Sequence, residues 1–304
     1  MQSWDRKSKV ALLSIVSNTT LIIFKVLAGL LSGSVSIISE AIHSGMDLVA
    51  SFIAFFSVRQ SGKPADREHP YGHGKIENIS GIAEGLLIFV AAGMIIREAI
   101  EKLFNPSEIE QAGLAISVML GASLVNLLVS GKLYRVSREE DSMALEADAL
   151  HLKTDVYTSL GVAIGLLLIK LTGLLVLDPV VAILVALLII KEAWELCRDA
   201  FEYLLDTKLT DSEEAEIIKV IERHRDKFMD YHKLKTRKSG NMKHIDFHIT
   251  VERDATAVEI HEIIGCIKKA MREEFGNTRV NVHVDPCEES PGENFTVIAD
   301  PSEK

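Results

Sequence analysis

Cysteine is scarce in this chain. The 304 residues contain three, Cys197, Cys266 and Cys287, and no two of them form a C-x-x-C pair. An odd number of cysteines without this spacing argues against a disulfide framework and favours a reduced compartment. Positive charge is also in deficit, with 33 Lys and Arg against 43 Asp and Glu and a net charge of −10. This balance argues against nucleic acid as a partner, but not against cations.

Two further absences narrow the function. No cleavable signal peptide is evident, because the first apolar block is long enough to span a membrane and no small-residue cleavage site follows it. The stretch HEIIG at 261–265 begins like the zinc-protease motif H-E-x-x-H, but Gly265 stands where the second histidine must be. The sequence therefore does not encode that type of protease.

Long apolar runs fill the first two thirds of the chain. Mean hydropathy is +0.20 although 25% of the residues are charged. About 20 apolar residues cross the core of a bilayer, and six blocks approach that length. They predict six transmembrane helices, near 10–31, 35–58, 78–100, 112–134, 147–171 and 174–196. Basic residues before the first span and in the loops after the second and fourth place both termini in the cytoplasm by the positive-inside rule.

From about Lys208 the composition becomes that of a small soluble domain. TDSEEAEIIKVIERHRDKF predicts a helix that starts at Thr210 or Asp211, and AVEIHEIIGCIKKAMREEFG predicts an amphipathic helix that ends at Gly276. KLKTRKSGNMKHIDFHITVE predicts a hairpin and TRVNVHVDP a third strand. The order αββαβ is typical of a ferredoxin-like α+β domain with its helices on one sheet face. We therefore divide the chain into a membrane domain (1–207), a cytoplasmic domain (208–287) and a tail (288–304) predicted to be disordered.

Two polar pairs with the same spacing interrupt the apolar runs. His43 and Asp47 lie in VSIISEAIHSGMDLVASFIAFF, and His151 and Asp155 begin HLKTDVYTSLGVAIGLLLI. Residues four apart share one face of a helix, so each pair presents an imidazole and a carboxylate to one point. Two such faces together supply four N/O ligands, the number that a tetrahedral zinc site uses. A charge that reaches the membrane surface is the alternative for any one of these residues, but it does not explain the repeated spacing.

The loop after the second span contains a second candidate metal site. In PADREHPYGHGK, Asp66, His69 and His73 are three and four residues apart around a Pro-Tyr-Gly turn, so a carboxylate and two imidazoles can converge on a cation. Three ligands leave one coordination position open. The alternative is a solvated polar loop without a ligand.

The cytoplasmic domain contains a third candidate site. Its possible ligands are His232, His248, His261, His283 and Asp285. They lie within about fifty residues of a chain that has only ten histidines. His283 and Asp285 share one face of their predicted strand, and this concentration of ligand types favours a metal site. The alternative is a set of ordinary surface or core histidines.

These features together resemble the cation diffusion facilitator family. The resemblance rests on the six spans, H-x-x-x-D on the second and fifth, PADREHPYGHGK, LDP at 177–179 and the αββαβ domain ending in VHVDP, and it extends to about residue 287. It is closest to the bacterial zinc and ferrous-iron proton antiporters. The resemblance implies a homodimer in a lipid bilayer that exchanges cytoplasmic metal for external protons by alternating access. The short loop between the fourth and fifth spans lacks the His-rich insert of eukaryotic vesicular zinc transporters, which favours a prokaryotic plasma membrane.

The resemblance also assigns the three clusters. It implies a transport site at His43, Asp47, His151 and Asp155, a loop site at Asp66, His69 and His73, and a binuclear cytoplasmic site at His232, His248, His261, His283 and Asp285. It further implies a charge interlock at the dimer interface between Lys75 and Asp206. Close relatives often carry Asp where this chain has His43. Two imidazoles favour Zn²⁺ over Mn²⁺ as cargo and leave Fe²⁺, Cd²⁺, Co²⁺ and Ni²⁺ as alternatives. The resemblance also implies Zn²⁺ as a structural or regulatory ion.

Two other classes of function compete with transport. An intramembrane metallohydrolase would also place His and Asp in its spans, but it needs an open metal position, and four protein ligands close the site. We therefore expect no enzymatic activity. A metal-responsive membrane scaffold would keep the cytoplasmic cluster and would not need the membrane site.

Overall fold

The computed structural model describes residues 5–32, 35–104, 112–174 and 176–287. It divides into two compact units, Met1–Leu204 and Leu205–Lys304. The tail 288–304, expected to be disordered, lies outside the described residues.

Six long helices form the first unit, one for each predicted span. They are α1 (Arg6–Ser32), α2 (Val35–Ser61), α3 (Ile76–Phe104), α4 (Ala112–Glu140), α5 (Met143–Thr172) and α6 (Leu177–Leu204). Within the described residues, three stretches are long and apolar enough to cross a membrane: Arg6–Leu31, Ile76–Phe104 and Ser117–Glu140. The most extensive helix contacts join α1 to α2, α3 to α6, and α4 to α5, while α2 and α3 both also contact α5. Helix α5 is therefore positioned to bring its polar residues against those of α2 and α3.

Polarity in this unit is arranged for a lipid environment. Large apolar side chains such as Leu31, Phe104 and Leu128 are exposed, whereas Asp47, Glu84 and other polar groups are buried between helices. Ionisable groups within membrane helices normally face the protein interior or a water-filled path, because contact with lipid is costly. The buried polar residues are therefore the candidates for function.

The second unit has the predicted order αββαβ. Its elements are α7 (Asp211–Glu222), a 3-10 turn (Arg225–Lys227), β1 (Asp230–Ser239), β2 (Met242–Val251), α8 (Ala257–Phe275) and β3 (Thr278–Pro286). The sheet order is β1-β2-β3, with β1 and β2 antiparallel and β2 and β3 parallel. The core packs Ile217 of α7 and Ile267 and Met271 of α8 with Ile245 and Phe247 of β2.

The ends of the two helices follow the sequence signals. Thr210 is the N-cap of α7, where it forms a capping box with Glu213. Helix α8 ends at Gly276, whose φ of 69° lies in the left-handed region that glycine reaches without steric cost. Both predicted helix boundaries are confirmed.

Candidate metal sites

Helices α2 and α5 bring the first candidate site together. Asp47 Oδ1 lies 3.1 Å from His151 Nε2, and the two residues are only 5% and 6% exposed. Asp155 follows one turn later on α5, where its Oδ2 accepts a hydrogen bond of 3.1 Å from Asn126 Nδ2 of α4. His43 lies one turn before Asp47 on α2, but its side chain is outside the described residues. Two of the four predicted ligands are thus in contact although 104 residues separate them in sequence.

Two asparagines support this site, and the spacing of ligands gave no sign of them. Asn18 Nδ2 of α1 donates to the backbone oxygen of Asp47 at 3.4 Å and to Ser51 Oγ at 2.8 Å. Asn126 Nδ2 donates to Asp155. Asn126 Oδ1 and His151 Nδ1 are buried, and neither atom has a hydrogen-bond partner among the described residues. A buried nitrogen and a buried oxygen therefore remain for a ligand. An amide inside an apolar stretch is the sequence signal that marks Asn126, and the same signal extends to Asn18.

The loop between α2 and α3 gathers the second candidate site. His69 Nδ1 lies 3.3 Å from Asp66 Oδ1, and His73 Nε2 lies 3.4 Å from Asp66 Oδ2. The two imidazole ring centroids are 4.4 Å apart. Gly72, with φ of 89°, provides the left-handed residue that the turn between the histidines requires. The ligand atoms of the three residues all lie within 4.8 Å of one another, so one cation could contact all three.

Backbone N–H groups stabilise the negative charge of Asp66. The N–H groups of His69 and Glu68 donate to Asp66 Oδ1 at 2.7 and 3.0 Å. The bond from His69 is the largest cause that holds the pKa of Asp66 below its ordinary value. His73 Nδ1 is buried without a hydrogen bond to a described residue. The hydrogen bonds from His69 and Glu68 therefore favour the ionised form of Asp66.

The third candidate site crosses the sheet of the cytoplasmic unit. His232 of β1 pairs with His248 of β2, and His248 pairs with His283 of β3. Ring centroids of His232 and His248 are 5.2 Å apart, and those of His248 and His283 are 4.5 Å apart. A register shift immediately after His232 gives the edge strand an irregularity beside the cluster. The three imidazoles therefore form a row across all three strands.

Asp285 connects this row. Its Oδ2 lies 2.8 Å from His248 Nδ1 and 3.2 Å from His232 Nε2, and its Oδ1 lies 3.3 Å from His283 Nε2. The hydrogen bond from His248 is the largest cause that lowers the pKa of Asp285. The ligand atoms of His232, His248 and Asp285 lie within 4.8 Å of one another, and this donor set of imidazole and carboxylate fits Zn²⁺. His261 is exposed on α8 and does not belong to that group, so its place in the site stays a prediction.

The predicted charge interlock has one member in each unit. Lys75 Nζ donates to the backbone oxygen of Leu204 at 3.2 Å, within the helical unit. Asp206 Oδ1 accepts from Arg237 Nη1 at 3.2 Å, within the cytoplasmic unit. A pairing of Lys75 with Asp206 stays a prediction.

Both units of the chain match profiles of known protein domains. The profile of the cation efflux transmembrane domain matches residues 11–205, and that of the cation efflux protein, cytoplasmic domain, matches residues 209–287. An uncharacterised transporter of Synechocystis is 34% identical over 279 residues, which cover 92% of this chain and 90% of that protein. The cation-efflux pump FieF of Shewanella oneidensis is 32% identical over 278 residues, covering 91% and 93%. An uncharacterised transporter of Methanocaldococcus jannaschii is 32% identical over 281 residues, covering 91% and 97%.

Proposed function

From the premise that this chain belongs to the cation efflux family, also called cation diffusion facilitators, we propose that it exports Zn²⁺ in exchange for protons as a homodimer. Divalent metal efflux across a membrane is the activity of the family, which consists of transporters and not enzymes. Zinc as the cargo, protons as the counter-substrate and a prokaryotic plasma membrane with cytoplasmic termini are our proposals. The observation that carries the proposed metal–proton exchange is the buried contact between Asp47 and His151.

The ligand chemistry supports zinc. Asp47 and Asp155 supply negative charge that stabilises a dication in surroundings of low dielectric constant, and His151 supplies an imidazole nitrogen. Imidazole favours zinc and similar transition metals over the harder Mn²⁺. We assign His43 as the fourth ligand because it repeats on α2 the spacing of His151 and Asp155 on α5.

Proton exchange follows from the same ligands. An imidazole nitrogen binds a proton or a metal near neutral pH, but not both. Protons that reach the site from outside therefore displace the metal, and metal that arrives from the cytoplasm displaces protons. Alternating access of one site to the two sides couples an inward proton gradient to metal efflux.

We assign the cytoplasmic cluster a regulatory and structural role. A metal that joins His232, His248 and Asp285 stabilises whichever packing of the strands aligns these ligands. The matching profile is that of a domain named for dimerisation, which supports a homodimer. Such a site responds to cytoplasmic metal without being part of the transport path.

Flux into proteoliposomes tests the proposal. Vesicles with an acidic interior should accumulate Zn²⁺ as protons leave, and Asp47→Asn should abolish this uptake because it removes a charged ligand. Asp199→Asn is the matched control, since the side chain of Asp199 on α6 is 49% exposed and pairs only with its neighbour Arg198 among the described residues. An inactive wild type would refute zinc–proton exchange, and full uptake by Asp47→Asn would refute the assigned site. Hydrolytic activity of the protein without Zn²⁺ flux would favour the intramembrane metallohydrolase. Metal-dependent association of the protein without Zn²⁺ flux would favour the membrane scaffold.

A further inference from the structure

Helix α3 carries a buried column of polar side chains, and Glu84 differs from the others. Glu77 accepts hydrogen bonds from Lys7 at 2.7 Å, from Ser61 at 2.6 Å and from Ser142. Ser80 donates to Ser57 Oγ of α2 at 2.9 Å. Glu84 is 0% exposed, and neither of its carboxyl oxygens has a hydrogen-bond partner among the described residues. Of Glu77, Ser80 and Glu84, only Glu84 has no hydrogen-bond partner among the described residues.

A second buried carboxyl lies across the interface of α3 and α5. Asp148 of α5 is also 0% exposed, and α5 packs directly against α3. Asp148 Oδ1 accepts hydrogen bonds from Ser14 of α1 and Ser51 of α2, both at 3.1 Å, while Oδ2 has no partner among the described residues. Asn18 donates to Ser51, which leaves the hydroxyl hydrogen of Ser51 for Asp148. The surroundings therefore favour a negative charge on Asp148.

No lysine or arginine among the described residues donates a hydrogen bond to Glu84 or Asp148. From α6 the thiol of Cys197 lies against Gly85, where a Cβ would come within 2.3 Å of the sulfur. From α2 comes the hydroxyl of Ser57, and from α5, one turn beyond Asp148, the imidazole of His151. Two ionised carboxyls in such a place would repel each other, and each would lose the water that stabilises its charge.

One proton bound by the pair removes this repulsion, and the hydrogen bonds around each carboxyl determine which of the two holds the proton. A metal ion needs a full set of ligand atoms, whereas a proton needs only one carboxyl oxygen. The serine donors stabilise the ionised form of Asp148, and Glu84 has no donor. We propose that Glu84 and Asp148 form a proton-binding site in the membrane unit, with the proton on Glu84 and the negative charge on Asp148.

The position of this pair gives it a role in transport. Along α5 the order is Asp148, His151, Asp155, so the pair lies one turn from the transport site towards the N-terminal end of the helix. Asn18 links the Glu84–Asp148 pair to the transport site, because it donates both to Ser51, which contacts Asp148, and to the backbone oxygen of Asp47. If the proposed proton exchange holds, protons pass between the transport site and the N-terminal ends of α3 and α5 through Glu84 and Asp148. Each step breaks an O–H or N–H bond on the donor and forms an O–H bond on the acceptor, with no other change.

Infrared spectroscopy tests the proton on Glu84 without reference to transport. The full-length protein in an ester-free detergent at pH 7 should show the carbonyl stretch of a protonated carboxyl. Glu84→Gln should lose this band, and Glu101→Gln, at an exposed position of the same helix, should keep it. A wild type without the band, or a band that survives in a folded Glu84→Gln protein, would overturn the proposal. If Glu84→Gln does not fold, Asp148→Asn decides the question: the band should persist in this variant, and its loss would place the proton on Asp148 and overturn the proposal.

Flux tests the passage of protons. Zn²⁺ uptake driven by a pH gradient should fall about tenfold or more in Glu84→Gln and in Asp148→Asn, as expected when a positioned proton carrier is removed. Zn²⁺ affinity measured by calorimetry should stay near that of the wild type, because neither residue is an assigned ligand. Unchanged flux in both variants would refute the relay. An inactive wild type would refute the proposed exchange instead, and the infrared result would still stand.

Discussion

Metal binding by the cytoplasmic cluster can be measured on the second unit alone. Residues 205–287 have their own hydrophobic core, so we expect this fragment to fold in isolation. Zn²⁺ that binds only the folded fragment stabilises it by about 2.7 kcal/mol at 100 times its Kd. For a domain of this size, 1 kcal/mol shifts Tm by roughly 4–8 °C. Saturating Zn²⁺ should therefore raise Tm by about 10–20 °C.

Asp285→Asn should remove most of this gain, because Asp285 contacts all three imidazoles of the row. Without metal the same substitution should cost less than about 1 kcal/mol, because the side chain is 36% exposed and solvent screens its contacts. Asp226→Asn makes the same change of charge at an exposed residue of the 3-10 turn, and it should preserve the full response to Zn²⁺.

The pH dependence has a defined sign. The pKa of Asp285 is lowered in the fold, so its stabilising contribution is present above its unfolded pKa and is lost as pH falls through the folded value. The Zn²⁺ response disappears at a higher pH, because protons compete for imidazole nitrogens below an ordinary pKa of roughly 6.5. Differential scanning fluorimetry between pH 5 and 8, with and without Zn²⁺, measures both effects. Equal melting temperatures with and without saturating Zn²⁺ at pH 7.5 would refute the metal site.

Two substitutions in the membrane unit test ligand choice and packing. His43→Asp should keep Zn²⁺ transport and widen acceptance of Fe²⁺ or Mn²⁺, because an oxygen replaces a nitrogen ligand; an unchanged profile of metal flux would place selectivity elsewhere. Gly165→Ala should destabilise the helical unit by about 1–3 kcal/mol through overpacking. Its Cβ would lie 2.6 Å from Asp178 Oδ1 and 3.1 Å from Asp178 Cα, whereas Gly93→Ala meets nothing within 4 Å. Melting of the detergent-solubilised proteins compares the two, and equal Tm values would contradict the close approach of α5 and α6.

Local signals in the sequence were sufficient to predict the helices and strands. Apolar length predicted the six helices of the first unit, and alternation with turn residues predicted the strands of the second. Thr210 and Gly276 marked helix ends because N-caps and left-handed C-caps depend on neighbouring residues alone. The paired H-x-x-x-D spacing likewise indicated one face on each of two helices, since four residues make about one turn. Each of these inferences depends on contacts within a few residues.

Contacts between distant elements were decided by the tertiary structure. The row of His232, His248 and His283 requires the register of both strand pairs, which periodicity does not specify. No motif or spacing in the sequence pairs Glu84 with Asp148. That Glu84 has no donor while Asp148 has two follows from how α1, α2, α3 and α5 pack. The sequence thus determined which residues carry the chemistry, and packing determined which of them share a site, because burial and hydrogen-bond partners depend on elements far apart in the chain.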